Sequence, residues 1–196
     1  MQTNILWTGK EYYSLENCLI NTSENGADIT STIIGSYEGK LYKVEYHIKT
    51  NEYWQTVLLE ITSQVNNKTQ TIKLAGDGKG NWIFNGKEAA QFKGCIDVDI
   101  AVTPFTNTLP ICRLNLQQGQ PHQIQVIYCD LLHQVIKPVR QKYTRLSANE
   151  YHYENIPNDF EATIQVDESG FVVDYPGLFV RTAAVTHPTS LSKSPS

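Results

Sequence analysis

The chain has 196 residues, 40% of them hydrophobic, and a formal net charge of −4 at pH 7. That length suits one domain with a substantial core, and the acidic balance excludes general affinity for nucleic acid or an anionic membrane surface. No stretch approaches the roughly 18 consecutive apolar residues that a transmembrane helix needs.

Met1-Gln2-Thr3-Asn4 lacks a basic region followed by an apolar run, so no signal peptide is visible. Tyr12, Leu15 and Leu19 recur at helical spacing, which predicts one short helix over 11–19. Beyond it, alternation with period two dominates. Tyr42, Val44, Tyr46 and Ile48 share one strand face, and Lys43, Glu45, His47 and Lys49 share the other. Val57, Leu59 and Ile61 oppose Thr56, Glu60 and Thr62; later, Ile124, Val126 and Tyr128 oppose Gln123 and Gln125, and Ile164 and Val166 oppose Gln165 and Asp167. Asn25-Gly26, Tyr37-Glu38-Gly39-Lys40 and Asp77-Gly78-Lys79-Gly80 supply the turn residues for hairpins between them. About a dozen antiparallel strands result, with little helix. A sheet that large curls, as a two-sheet sandwich or an incomplete barrel.

An internal echo joins the halves. Thr71-Ile72-Lys73-Leu74, with Asp77 and Gly80 before Trp82, parallels Thr163-Ile164-Gln165-Val166, with Asp167 and Gly170 before Phe171. Two related sheets and a chance likeness of two hairpins both remain open.

The most informative stretch is 94–113. It starts as a strand that puts Cys95, Asp97 and Asp99 on one face, the carboxylates about 7 Å apart, and Ile96, Val98, Ile100 and Val102 on the other. The apolar face enters the core. For the acidic face three readings compete: a structural pairing with Arg113, a polar site for ligand hydroxyls, and a metal or acid/base pair. Between Pro104 and Pro110, whose preceding residues are pushed towards extended geometry, Thr106, Asn107 and Thr108 either satisfy their own backbone or present Asn107 to a ligand. Gln141, Tyr143 and Arg145 share a face that meets water or a polar cavity. Trp54 and Trp82 are placed to pack the halves together, and a Trp at a sheet edge can also stack on a sugar ring or acyl chain.

The negatives narrow the field. The four cysteines form no CxxC pair and read as reduced thiols of a cytoplasmic protein, not zinc ligands. There is no Gly-x-Ser-x-Gly elbow, His-Glu-x-x-His motif or phosphate-cradling glycine loop. No cofactor or metal is implied. The small, polar segment 183–196 reads as a flexible tail behind a single domain over 1–182.

Trp7-Thr8-Gly9, Tyr42-x-Val44-x-Tyr46, Trp54, Asp77-Gly78-x-Gly80-x-Trp82, Gly94-Cys95-x-Asp97-x-Asp99, Thr103-Pro104-Phe105-Thr106-Asn107-Thr108-x-Pro110, Arg113, Gln141-x-Tyr143 and Tyr175-Pro176 together form a recognisable series. On these residues the chain resembles the putative glycolipid-binding family of bacterial genomes, formerly a domain of unknown function, from about residue 5 to 181. The resemblance implies a curved, incomplete antiparallel barrel of two similar halves, similar in shape to periplasmic carriers of lipoproteins and hydrophobic lipids. It also implies a basic residue shortly after Trp54, where this chain has Gln55-Thr56-Val57.

The combined reading is a non-enzymatic protein that binds an amphipathic ligand, a glycolipid or other lipid-like small molecule, in a concave cleft of the sheet. The residues expected there are Trp54, Asp97, Asp99, Asn107, Arg113, Gln141 and Tyr143. The alternative is an enzyme acting on a glycosylated or phosphorylated small molecule through Asp97 and Asp99. A third possibility is an interaction protein whose sheet edges pair with a partner or a second copy.

Overall fold

The computed structural model describes residues 1–188. Eight strands make the N-terminal half: β1 (Gln2–Gly9), β2 (Ser14–Ser23), β3 (Gly26–Tyr37), β4 (Lys40–Thr50), β5 (Thr56–Val65), β6 (Lys68–Gly76), β7 (Trp82–Phe84) and β8 (Lys87–Glu88). The rest form the second half: β9 (Asp97–Ile100), β10 (Pro121–Asp130), β11 (Val135–Arg145), β12 (Glu150–Ile156), β13 (Glu161–Val166), β14 (Val172–Tyr175) and β15 (Phe179–His187). All belong to one sheet in the order 8-7-6-5-4-3-2-1-15-14-13-12-11-10-9, so β1 and β15 meet at its centre and β8 and β9 are its edges.

The fold is all-β, as the alternation predicts, and the sheet curls without closing. Its two ends are nevertheless stitched. Gly94 N donates to Gly80 O at 2.8 Å, and Trp82 Nε1 donates to Cys95 O at 2.8 Å. Gly80 sits at φ +86°, and a side chain there would strike the Gly94 backbone at 2.8 Å. The glycine is needed for both its conformation and its lack of bulk.

Every strand pair is antiparallel except β9 with β10. A parallel neighbour requires a crossover, and residues 101–120 supply it through a 3₁₀ turn (Phe105–Asn107) and the helix α1 (Thr108–Leu114). Nearly all of this crossover up to Ile111 is buried. Sequence reasoning expected a polar loop between the two prolines. Pro104 instead precedes the 3₁₀ turn and Pro110 lies in the first turn of α1, where a missing N–H costs nothing.

Four other expectations change. The count is fifteen strands, more than a dozen, because short strands such as β8 and β14 span too few residues to show alternation. The helix expected over 11–19 is a turn followed by β2. That strand turns Ser14 and Glu16 inward and leaves Leu15 outside, an inverted pattern that hid it. Thr56 points into the core because a bulge leaves Val57 unpaired between the Thr50–Thr56 and Lys49–Leu58 pairs. Finally, β15 runs to His187 beside β1, well into the stretch expected to be a tail; residues 189–196 lie outside the described residues.

The echo has a structural counterpart. Asp77 Oδ1 accepts from the N–H groups of Lys79 and Asn81, and Asp167 Oδ1 accepts from those of Ser169 and Phe171. Gly80 and Gly170 both take positive φ, +86° and +79°. The two halves thus turn the same corner with the same chemistry.

One core fills the N-terminal half, where Trp7, Ile29, Val44 and Leu59 pack against Val98, Ile100, Phe105 and Ile127. A second joins Ile111, Val126, Tyr143, Tyr153, Ile164 and Phe179. Among the described residues no helix is long and apolar enough to cross a membrane, and all four cysteines are free.

Glu16 is an exception within the first core. Its Oε1 accepts hydrogen bonds from Ser31, Tyr46 and Thr103 at 2.8, 2.7 and 2.9 Å, and Oε2 has no partner among the described residues. Burial, opposed by those hydroxyls, pushes its carboxyl from 4.5 up to about 7. Below pH 4.5 folded and unfolded chains both hold the proton. As pH rises from there to about 7, the unfolded chain ionises first and stability is lost. Urea denaturation at pH 5 and pH 8 should therefore show Glu16→Gln gaining on the parent by about 3 kcal/mol across the interval. Equal losses in parent and variant would rule out the buried acid as the source.

Candidate functional site

Strand β9 decides the site. Its parallel register pairs Asp97 with Val126 and Asp99 with Tyr128, while Val98 and Ile100 pair with Ile127 and Cys129. The second set faces the first core, as the alternation predicts. The first set faces the hollow of the C-terminal half.

The two carboxylates fare differently. Asp97, fully buried, takes a forked pair from Arg113 at the end of α1: Nε at 3.0 and 3.2 Å and Nη2 at 2.6 Å. Burial raises its pKa and the guanidinium opposes the rise. Asp99 has no cation. Gln141 Nε2 donates to Oδ2 at 2.6 Å and Thr106 Oγ1 to Oδ1 at 3.1 Å. Burial outweighs these donors and pushes its carboxyl above the ordinary value. Asn107 is fixed by Tyr143, whose hydroxyl donates to Oδ1 at 2.9 Å.

A cleft of about 450 Å³ opens beside Asp99. Its walls are rings. Tyr12 stacks on Phe179 at 5.8 Å, Phe179 meets Tyr175 at 6.3 Å, Tyr175 meets Tyr153 at 6.2 Å, and Phe160 closes the group 6.1 Å from Tyr153. Tyr128 also lines it. Burial, followed by the Asp99 charge, raises the phenols of Tyr128 and Tyr153 well above their ordinary range. For Tyr175, burial and then Tyr153 lead, with Asp99 next. The phenols therefore stay neutral at physiological pH and offer hydrogen bonds without charge.

The expected site residues separate on this geometry. Asp99, Asn107 and Gln141 line the cleft. Asp97 and Arg113 form their pair outside its lining, and Tyr143 is buried behind it as the support of Asn107. Trp54 is far from the others in sequence and pairing, in the turn between β4 and β5 with φ +61°, against the first core. Sequence reasoning missed the cleft's rings. Eleven tyrosines signalled an aromatic-rich interior, but which rings converge depends on how β10, β12, β14 and β15, the segment before β13 and the β1–β2 turn curl together.

One cluster among the described residues could hold a metal ion: His152, Glu154 and Glu161. His152 and Glu154 flank Tyr153 and so face away from the cleft, and Lys142 Nζ already lies 2.7 Å from Glu154.

Comparison with known proteins fits this architecture. Residues 4–181 match the family model described as putative glycolipid-binding. The solved structure of a DUF1089 family protein from Pseudomonas aeruginosa is 33% identical. It superposes with a TM-score of 0.76 and covers 85% of this chain and 91% of its own. A β-barrel-like protein of domain of unknown function DUF1849 from Brucella abortus is 9% identical with a TM-score of 0.57, covering 92% of this chain and 93% of its own. That second likeness concerns the fold alone. No curated protein sequence matched.

The two carboxylates should respond differently to mutation. Arg113→Met leaves the Asp97 charge buried and unpaired, so urea denaturation should show a loss of about 3–5 kcal/mol. Asp99→Asn keeps both partners once the Gln141 amide turns its oxygen towards the new NH2 group, and should cost less than about 1 kcal/mol. Similar costs for the two would contradict the assignment of Asp97 to structure and Asp99 to the cleft.

Proposed function

The chain belongs to the putative glycolipid-binding family, and on that premise we propose that it binds one amphipathic small molecule in the aromatic cleft beside Asp99. The ring-lined wall takes the apolar part by hydrophobic contact, and Asp99, Gln141 and Asn107 orient the polar end. The observation that carries this reading is the coincidence of five clustered rings with a cation-free carboxylate on one cleft. Keeping that carboxylate half-buried is costly, and unlike Glu16, which is sealed within the first core, it borders open space. Thr106 and Gln141 hold it in one orientation, facing the space where a ligand's polar group would sit.

Catalysis by a carboxylate pair on β9 is less well supported. Asp97 is occupied by Arg113, so Asp99 has no second carboxylate from that strand to share acid and base roles. The family name points to a glycolipid; the cleft itself calls for an apolar body with a hydrogen-bonding end.

Native mass spectrometry of freshly purified protein, with lipid extraction, should find an amphipathic species bound one to one. The neutral fluorophore N-phenyl-1-naphthylamine should compete with it. Tyr153→Ala should weaken that fluorophore by about tenfold, equivalent to about 1.4 kcal/mol, while Trp54→Ala should leave it within about twofold. The reading is lost if the fluorophore shows no saturable binding, or if only Trp54→Ala reduces it.

A further inference from the structure

Resting on that reading of the cleft, we propose that the polar end recognised at Asp99 is an ammonium group, a primary or quaternary amine on an alkyl chain.

The argument begins with two carboxylates on the same strand face. Asp97 is given an internal cation, the forked guanidinium of Arg113. Asp99, two residues on, is given only an amide and a hydroxyl, and no lysine or arginine of the described residues lies within ion-pair range of it. The chain thus builds a half-buried anion, fixes its orientation and withholds the counter-charge. A ligand cation would supply the missing charge in a partly desolvated setting, where the attraction is much stronger than in water.

The walls point to the same chemistry. Tyr128, Tyr153, Tyr175, Phe160 and Phe179 surround the space next to this carboxylate. The negative ring faces attract an ammonium within about 6 Å, and a cage of several such rings suits a methylated one that cannot donate hydrogen bonds. Because the phenols are held neutral, they add no competing charge. A sugar hydroxyl could donate to Asp99 in a charge-assisted hydrogen bond but would leave its charge uncompensated. A sulfate or phosphate would be repelled by it. The rim does not reverse the selection: Lys137 and Arg140 stand there with Glu11 and Asp159, all exposed and screened by salt.

Isothermal titration calorimetry with hexyltrimethylammonium, hexyl glucoside and hexyl sulfate tests the idea on one short chain length. The ammonium probe should bind at least about tenfold more tightly than the glucoside, and the sulfate most weakly. Asp99→Asn should erase the preference by costing the ammonium at least about tenfold more than the glucoside, and Phe160→Leu should weaken the ammonium more than the glucoside. Tetramethylammonium separates the sources: affinity matching that of the hexyl form supports a free small amine, and much weaker binding supports a lipid head. Equal affinities for the three hexyl probes, or a preference that survives Asp99→Asn, would overturn the ammonium assignment alone. Failure of every hexyl probe to bind would overturn it together with the cleft reading.

Discussion

A crossover rich in hydroxyls and amides, buried inside a curled sheet, is the constraint around which this molecule is arranged. Buried polar groups must find partners, and here the partners lie on both halves. Thr103 reaches Glu16 of the N-terminal half, Asn107 receives Tyr143 of the C-terminal half, and Thr106 and Gln141 converge on Asp99. Remove the crossover, and the first core loses Phe105 and Leu109 from its interior. The stitch from Gly80 and Trp82 to the segment before β9 sets where the crossover enters.

The same arrangement explains why two similar carboxylates have different roles. Both project from β9 to one side, yet only Asp97 lies within reach of the last turn of α1, where Arg113 completes a forked pair. Asp99 lies one pleat further along, beside Gln141 and at the mouth of the hollow. Position along a single strand thus divides structural charge from exposed chemistry.

The halves share a corner but not a fate. Their matching Asp turns hold equivalent hairpins, yet the N-terminal hollow is filled by one apolar face of β9 and β10, whereas the C-terminal hollow keeps an opening among its rings. The strand pair β9–β10 serves both: its apolar face completes one core, and its other face lines the cleft. An approximate repeat thereby becomes one solid half and one receptive half.

Period-two alternation was enough to establish an all-β fold, because only an extended chain places Tyr42, Val44, Tyr46 and Ile48 on one side. The hairpin turns and the importance of 94–113 were equally legible, since glycine positions and an apolar face interrupted by carboxylates carry local meaning. The β2 strand was hidden because Ser14 and Glu16 face inward, and only the crossover's need for Glu16 accounts for that. The division of the candidate residues was likewise undecidable from spacing. Asp97 and Asp99 have identical local signatures, and it is the parallel register of β9 with the path of α1 that gives one a guanidinium and the other a cleft. Outside β2 and the bulge at Thr56, local pattern determined which way side chains point from their own strands; long-range closure, through contacts between residues dozens of positions apart, decided what each one meets.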